Sequence, residues 1–78
     1  MTNTLTQIKI VIANELKKPT EELDENIEVG NIAGWDSMTH IAVITAIEEH
    51  FDIKFRLREI NRITNILSIA DLVEQKQN

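Results

Sequence analysis

The chain of 78 residues contains no cysteine, which excludes disulfide bridges, thiolate metal ligands and a cysteine nucleophile. Its unbroken apolar runs are short, far below the roughly 20 residues that a membrane-spanning helix requires. The first residues, MTNTLTQ, lack the basic and apolar parts of a secretory signal. These absences predict a cytoplasmic protein without membrane insertion.

Basic residues are also scarce, because 8 Lys and Arg stand against 13 Asp and Glu and give a net charge of −5. Binding to nucleic acid depends on basic side chains that neutralise phosphates, so nucleic acid is an unfavourable partner. An acidic surface favours basic patches on other proteins. Simple solubility explains the same charge, and the charge alone does not separate these two interpretations.

Glycine and proline are rare, and the only proline and both glycines fall within residues 19–36. We predict a long loop here, because Pro19 prevents a preceding helix from continuing and glycine supplies turn conformations. Loops of this length in a small domain tend to be functional. Four scattered apolar residues are predicted to anchor the loop to the core: Leu23, Ile27, Val29 and Ile32.

Apolar residues recur at helical spacing on both sides of this loop. We predict a first helix over about 4–17 with Thr4 as its N-cap, and a second that begins at Asp36 or Ser37 and ends near His50. Four apolar residues of the second helix fall on one stripe and are expected in the core: Ile41, Ile44, Ile47 and Phe51.

The stretch that follows, FDIKFRL, alternates apolar and polar residues as a strand does, but no other segment could pair with it. We predict an extended connection whose apolar side chains, including Leu57, plug the bundle. One short helix then precedes a last helix, which begins after the N-cap Asn65. The predicted fold is all-α, a small four-helix bundle of three principal helices and one short helix, as a single domain over residues 1–78.

Three roles are open to Ser37, which follows an acid and precedes an apolar helical repeat. With Asp36 and His40 it has the residue types of a hydrolase triad, but His40 lies three positions along the same helix and no nucleophile elbow is present. Asp36 or Ser37 could simply cap the helix. A phosphate joined to Ser37 would also be well placed, since a helix N-terminus offers unpaired N–H groups and a positive dipole end.

The stretch GWDSMTHIAVITAIEEHFDIKF resembles the signature of acyl carrier proteins, in which Asp-Ser and an aliphatic residue open the second helix and Glu-Glu-x-Phe closes it. The resemblance covers nearly the whole chain, including the long first loop and the closing helix near ADLVE. It implies a monomer whose Ser37 bears 4′-phosphopantetheine, transferred from coenzyme A by a separate phosphopantetheinyl transferase. It also implies that the protein carries acyl groups as thioesters and is not itself an enzyme.

Partners implied by the resemblance are the transferase and the enzymes that load and transfer the acyl group. The residues assigned to their recognition are Trp35, Asp36, Met38, Glu48 and Glu49. Trp35 is alternatively a loop-packing residue, and the two glutamates an ordinary solvated face. Because the family's interior can shelter an acyl chain, the resemblance implies a lining formed by Ile32, Ile41, Ile44, Ile47, Phe51, Ile60 and Ile66.

The chain departs from the family pattern on its second helix, whose start and middle lack acids. Met38 also stands where the family usually has Leu. We therefore predict a specialised lipid, polyketide or glycan-modification pathway with dedicated enzymes. An aminoacyl or peptidyl carrier that uses the same arm remains an alternative, and so does an unmodified acidic helical adaptor. Two isolated histidines, His40 and His50, do not predict a metal site.

Overall fold

Four helices form the fold in a computed structural model that describes residues 3–77. Helix α1 spans Thr4–Leu16, α2 spans Ser37–Phe51, α3 spans Leu57–Ile60 and α4 spans Ile66–Gln77. The all-α bundle with one short helix is thus confirmed, although residues 1, 2 and 78 of the predicted domain lie outside the described range. No helix within residues 3–77 is long and apolar enough to cross a membrane.

The ends of α1 follow local chemistry, with one correction to the predicted cap. Asn3, and not Thr4, is the N-cap, because its Oδ1 accepts a hydrogen bond from the backbone N–H of Thr6 at 2.7 Å. At the other end Lys17 adopts a left-handed conformation with φ of 58°, and the chain turns away before Pro19. The predicted extent of the helix is therefore correct to about one residue.

The core is aliphatic and lies where α1 packs against α2 and α4. Its fully buried side chains are Ile8, Ile12, Val43, Ile47, Ile66, Ile69 and Val73. Phe51 is half-buried. Ile41 is 59% exposed, so the prediction that Ile41 lies in the core is wrong. At about 100° per residue Ile41 points about 120° away from Ile47, which lies at the centre of the buried stripe.

The long loop between α1 and α2 is attached to the bundle at several points. Leu23 and Val29 are buried as predicted, whereas Ile27 is 43% exposed and does not anchor the loop. The backbone N–H of Val29 donates to the carbonyl of Thr64 at 2.8 Å, within an isolated antiparallel bridge to the start of α4. Two short 3₁₀ turns, Thr20–Glu22 and Val29–Asn31, satisfy part of the remaining loop backbone.

The connection after α2 is extended and without a strand, as predicted. Phe55 is buried, and its backbone N–H donates to Oε2 of Glu48 at 2.8 Å. Leu57 does not plug the bundle, because it begins α3 and is 74% exposed. The predicted cap of α4 is confirmed: Oδ1 of Asn65 accepts from the backbone N–H of Ser68 at 2.9 Å.

Gly34 directs the loop into the start of α2 with φ of 87°, a conformation that side chains with a Cβ rarely adopt. We expect Gly34→Ala to lower the free energy of unfolding by about 1–2 kcal/mol from this backbone strain, since its Cβ would meet Leu16 only at an ordinary 3.8 Å. Gly30→Ala is the matched control, because nothing lies within 4 Å of its Cβ position. Urea unfolding of both variants checks this, and equal losses would contradict it.

Candidate functional site

Ser37 is the first residue of α2, and Asp36 holds the start of that helix in place. Oδ1 of Asp36 accepts from the backbone N–H of Thr39 at 2.8 Å, while its backbone carbonyl accepts from the N–H of His40. Asp36 is thus the N-cap, and Ser37 is exposed beside it. The hydrogen bond from the Thr39 backbone lowers the pKa of the Asp36 carboxyl, so Asp36 stays ionised at neutral pH.

The lowered pKa of Asp36 makes this cap sensitive to acid. A carboxyl whose pKa is lower in the folded state contributes stability above its ordinary pKa and loses it as the pH falls. We therefore expect the urea concentration at the unfolding midpoint to decrease as the pH is lowered below about 4. The decrease should be smaller in Asp36→Asn, because the asparagine amide caps the helix but does not titrate. The pKa of Glu59 is lowered by a hydrogen bond from Lys76, so Glu59 contributes the same loss of stability at low pH in both proteins. Parallel pH profiles would contradict this role for Asp36.

Trp35 and His40 form a hydrogen-bonded pair beside the cap. The Trp35 side chain is only 8% exposed, and its Nε1–H donates to Nδ1 of His40 at 3.0 Å. An Nδ1 that accepts this bond carries no proton, so neutral His40 has its proton on Nε2. The burial of Trp35 agrees with its alternative role as a packing residue, and its hydrogen-bond partner is the histidine one helical turn beyond the loop.

Removal of the His40 side chain is expected to leave the indole N–H of Trp35 without a hydrogen-bond acceptor. We expect His40→Ala to lower the free energy of unfolding by about 1–3 kcal/mol, the usual cost of a buried donor without a partner. His40→Gln should lose less, since its carbonyl oxygen can accept from Trp35. The fluorescence of Trp35, the only tryptophan, reports both unfolding and local exposure. An alanine variant as stable as the glutamine variant would contradict the expectation.

The hydrogen bonds of these residues do not form a hydrolase triad. In a triad the carboxylate orients the histidine through Nδ1–H. Here Nδ1 of His40 accepts from the indole of Trp35, and the Asp36 carboxylate accepts from the backbone of Thr39. The three residues that suggested a triad are thus neighbours, with Asp36 and His40 engaged in other bonds.

An open cavity of about 550 Å³ adjoins Ser37 between the start of α2 and α3. Most of its wall is apolar, and the wall belongs to the loop, α2 and α3 together. The lining residues are Val29, Gly30, Trp35, Asp36, Ser37, His40, Ile41, Leu57, Ile60 and Asn61. Ile41 and Ile60 were predicted to line such a cavity, whereas Val29 and Leu57 were not. No periodicity could have identified them, since loop and α3 meet only through the tertiary fold.

The other residues assigned to an acyl-chain lining lie away from this cavity wall. Ile44, Ile47 and Ile66 are buried in the core, while Ile32 and Phe51 are half-buried against it. A chain could reach these five side chains only if the packed interior opened.

The residues assigned to partner recognition differ widely in exposure. Met38 is 84% exposed and Glu49 is also exposed. Glu48 is half-buried and already accepts a hydrogen bond from the backbone of Phe55, so it has a structural task. Within residues 3–77 no three His, Asp or Glu side chains are placed to hold a metal ion.

Comparison with known proteins places this geometry in a family. A family profile described as "Phosphopantetheine attachment site" matches residues 6–73. The solution NMR structure of the holo acyl carrier protein from Geobacter metallireducens has a TM-score of 0.84 to this chain and is 30% identical in sequence. The match covers 95% of this chain and 85% of the Geobacter chain. The chain therefore belongs to the acyl carrier protein family, whose prosthetic group is phosphopantetheine.

Proposed function

We propose that Ser37 carries 4′-phosphopantetheine and that the chain presents acyl groups to the enzymes of one specialised pathway. The observation that supports this most directly is the position of Ser37, exposed at the first residue of α2 and beside an apolar cavity. When attached, the arm supplies a terminal thiol that holds an acyl group as a thioester.

The residues around Ser37 fit a phosphate ester. The first turn of α2 has backbone N–H groups without a partner inside the helix, and its dipole end is positive. Asp36 satisfies the N–H of Thr39 and leaves the start of the helix solvent-exposed. The ionised Asp36 also offers a carboxylate to a transferase and its Mg²⁺ while the serine hydroxyl is being modified.

The cavity beside Ser37 fits the apolar part of a carried group. Its walls include Trp35, Ile41 and Ile60, so it can cover hydrocarbon and exclude water from it. The hydrogen bond between Trp35 and His40 holds one side of the opening in place. We assign the first contact with a carried acyl chain to these residues, and a deeper contact with Ile44, Ile47 and Ile66 only if the core opens.

A dedicated pathway is supported by the composition of α2. Residues 37–47 contain no Asp or Glu, and Glu48 is engaged with the backbone of Phe55. Enzymes that recognise a carrier through several acids on this helix would find few of them here. The carrier therefore suits enzymes that recognise it through features other than acidic side chains on α2.

The proposal is tested by intact-protein mass before and after incubation with coenzyme A and a broad-specificity phosphopantetheinyl transferase. We expect a gain equal to one phosphopantetheine, located on the peptide that contains Ser37. An unchanged mass in the presence of a transferase that modifies another carrier in the same tube would overturn the proposal. An unmodified helical adaptor predicts that unchanged mass.

A further inference from the structure

One side of α2 presents an uncharged surface directly beyond Ser37. Its exposed residues recur at positions i, i+3, i+4 and i+7, so they share one helical face. They are Met38, Ile41, Ala42 and Thr45. Met38 is 84% exposed and Ile41 is 59% exposed, which is unusual for side chains of this size. The first charged residue on this face is Glu49, three turns from Ser37.

Basic side chains lie on α3 and directly after it: Arg58 and Arg62 each follow a residue that lines the cavity beside Ser37, Leu57 and Asn61 respectively. All three arginines of the chain lie in residues 56–62, although the chain as a whole is acidic. Arg58 and Arg62 are exposed, lie four positions apart and make no ion pair among the described residues. Glu59, the one acid of this segment, is paired with Lys76 at 2.7 Å. The local charge is therefore positive.

Leu57 joins the two helices into one surface. It is 74% exposed on α3 and lines the same cavity as Ile41 of α2 and Ser37. We call the set Met38, Ile41, Thr45, Leu57, Arg58 and Arg62 the apolar–basic surface. Its apolar members are accompanied by two arginines that neighbour the cavity-lining residues Leu57 and Asn61 in the chain, and a protein interface likewise combines an apolar core with a polar rim.

We propose that an enzyme that loads or transfers the acyl group docks on the apolar–basic surface through an apolar patch bordered by acidic side chains. This inference rests on the proposed carrier function and goes against the sequence-based expectation that the partners present basic patches. Charge complementarity supports an acidic rim, because neither Arg58 nor Arg62 forms an ion pair within residues 3–77. A protein is favoured over an anionic membrane, because a protein can place acidic side chains only opposite the two arginines, whereas a membrane is anionic over its whole surface and repels a chain of net charge −5.

The docking enzyme is found by photo-crosslinking in the native cells. A photoreactive residue replaces Thr45 on the apolar–basic surface or, as a control, Gln75 on α4; both positions are exposed. We expect an acyl-loading or acyl-transferring enzyme at Thr45 and not at Gln75. If no such enzyme is crosslinked at Thr45 in cells where Ser37 carries phosphopantetheine, the proposal is contradicted.

The affinity of the purified enzyme for the holo protein then tests the chemistry of the surface. We expect Arg58→Gln/Arg62→Gln and Leu57→Asn each to weaken binding about tenfold. Asn14→Glu/Gln75→Glu changes the net charge by the same amount at exposed positions elsewhere and should stay within about twofold. If Glu49→Lys weakens binding of the enzyme and Arg58→Gln/Arg62→Gln does not, the partner surface is basic and the proposal is overturned.

Two further measurements separate other occupants. Cosedimentation with vesicles of equal phosphatidylcholine and phosphatidylglycerol, or concentration-dependent self-association that the arginine variant abolishes, would each overturn docking of an enzyme. The mass gain at Ser37 is measured in every variant. If the protein without substitutions shows no mass gain, the carrier function itself is refuted. If a variant keeps the mass gain but no longer binds the enzyme, the substituted residues belong to the partner surface.

Discussion

Replacing Ser37 by alanine is expected to abolish the mass gain on incubation with coenzyme A and a phosphopantetheinyl transferase. The reason is chemical, since alanine has no hydroxyl to attack the phosphate of coenzyme A. The fold should not change, because Ser37 is exposed and Asp36 supplies the cap through its own carboxylate. Far-ultraviolet circular dichroism and the urea midpoint check that the variant is folded before its mass is compared.

Ser68 is a matched control, because it is the only other serine of the chain. Its hydroxyl donates to the carbonyl of Asn65 at 2.6 Å and accepts from the backbone N–H of Thr64 at 3.0 Å. We expect Ser68→Ala to lose about 1 kcal/mol of stability from these bonds and to keep the full mass gain. A mass gain that persists in Ser37→Ala would place the attachment elsewhere and refute the assignment.

Replacing Ile47 by alanine is expected to produce the largest loss of stability among the predictions. Ile47 is fully buried on the side of α2 that faces the core. Deletion of such a side chain usually costs about 2–5 kcal/mol, from lost burial and from the cavity that remains. A small domain is stabilised by only about 5–15 kcal/mol, so the loss should shift the urea and thermal transitions strongly.

Ile41→Ala provides the comparison on the same helix with the same change in side chain. Ile41 is 59% exposed, and alanine has the higher helix propensity, so we expect a change below about 1 kcal/mol. The two variants therefore separate core packing from helix formation. Equal losses would mean that Ile41 is buried in solution, and the cavity beside Ser37 would then have to be closed.

The sequence was sufficient for the helices and for the position of Ser37 at the start of α2. Apolar spacing, Pro19 and the cap residue Asn65 bounded the helices nearly as observed, because such signals act over one or two turns. Asp36 and Ser37 were likewise placed correctly at the start of α2. Local preferences predict local structure, and both the cap and Ser37 belong to that level.

Exposure was predicted less well, since it depends on what the rest of the chain covers. Ile27, Ile41 and Leu57 were expected to contact the core, yet all three are substantially exposed. A helical stripe can be drawn through several sets of apolar residues, and only neighbouring helices select the set that is buried. Glu48 illustrates the same point, since its carboxylate accepts from the backbone of Phe55 instead of remaining free for a partner.

The residue types and spacing of GWDSM and the apolar repeat after it are enough to place a capped helix with Ser37 at its start. They say nothing about the surface beside it, which is assembled from the first loop, α2 and α3. Only the tertiary structure pairs Trp35 with His40, opens a cavity beside Ser37 and joins Leu57 to Ile41. Capping is settled within a few residues of chain, whereas a binding surface requires segments about twenty residues apart to meet.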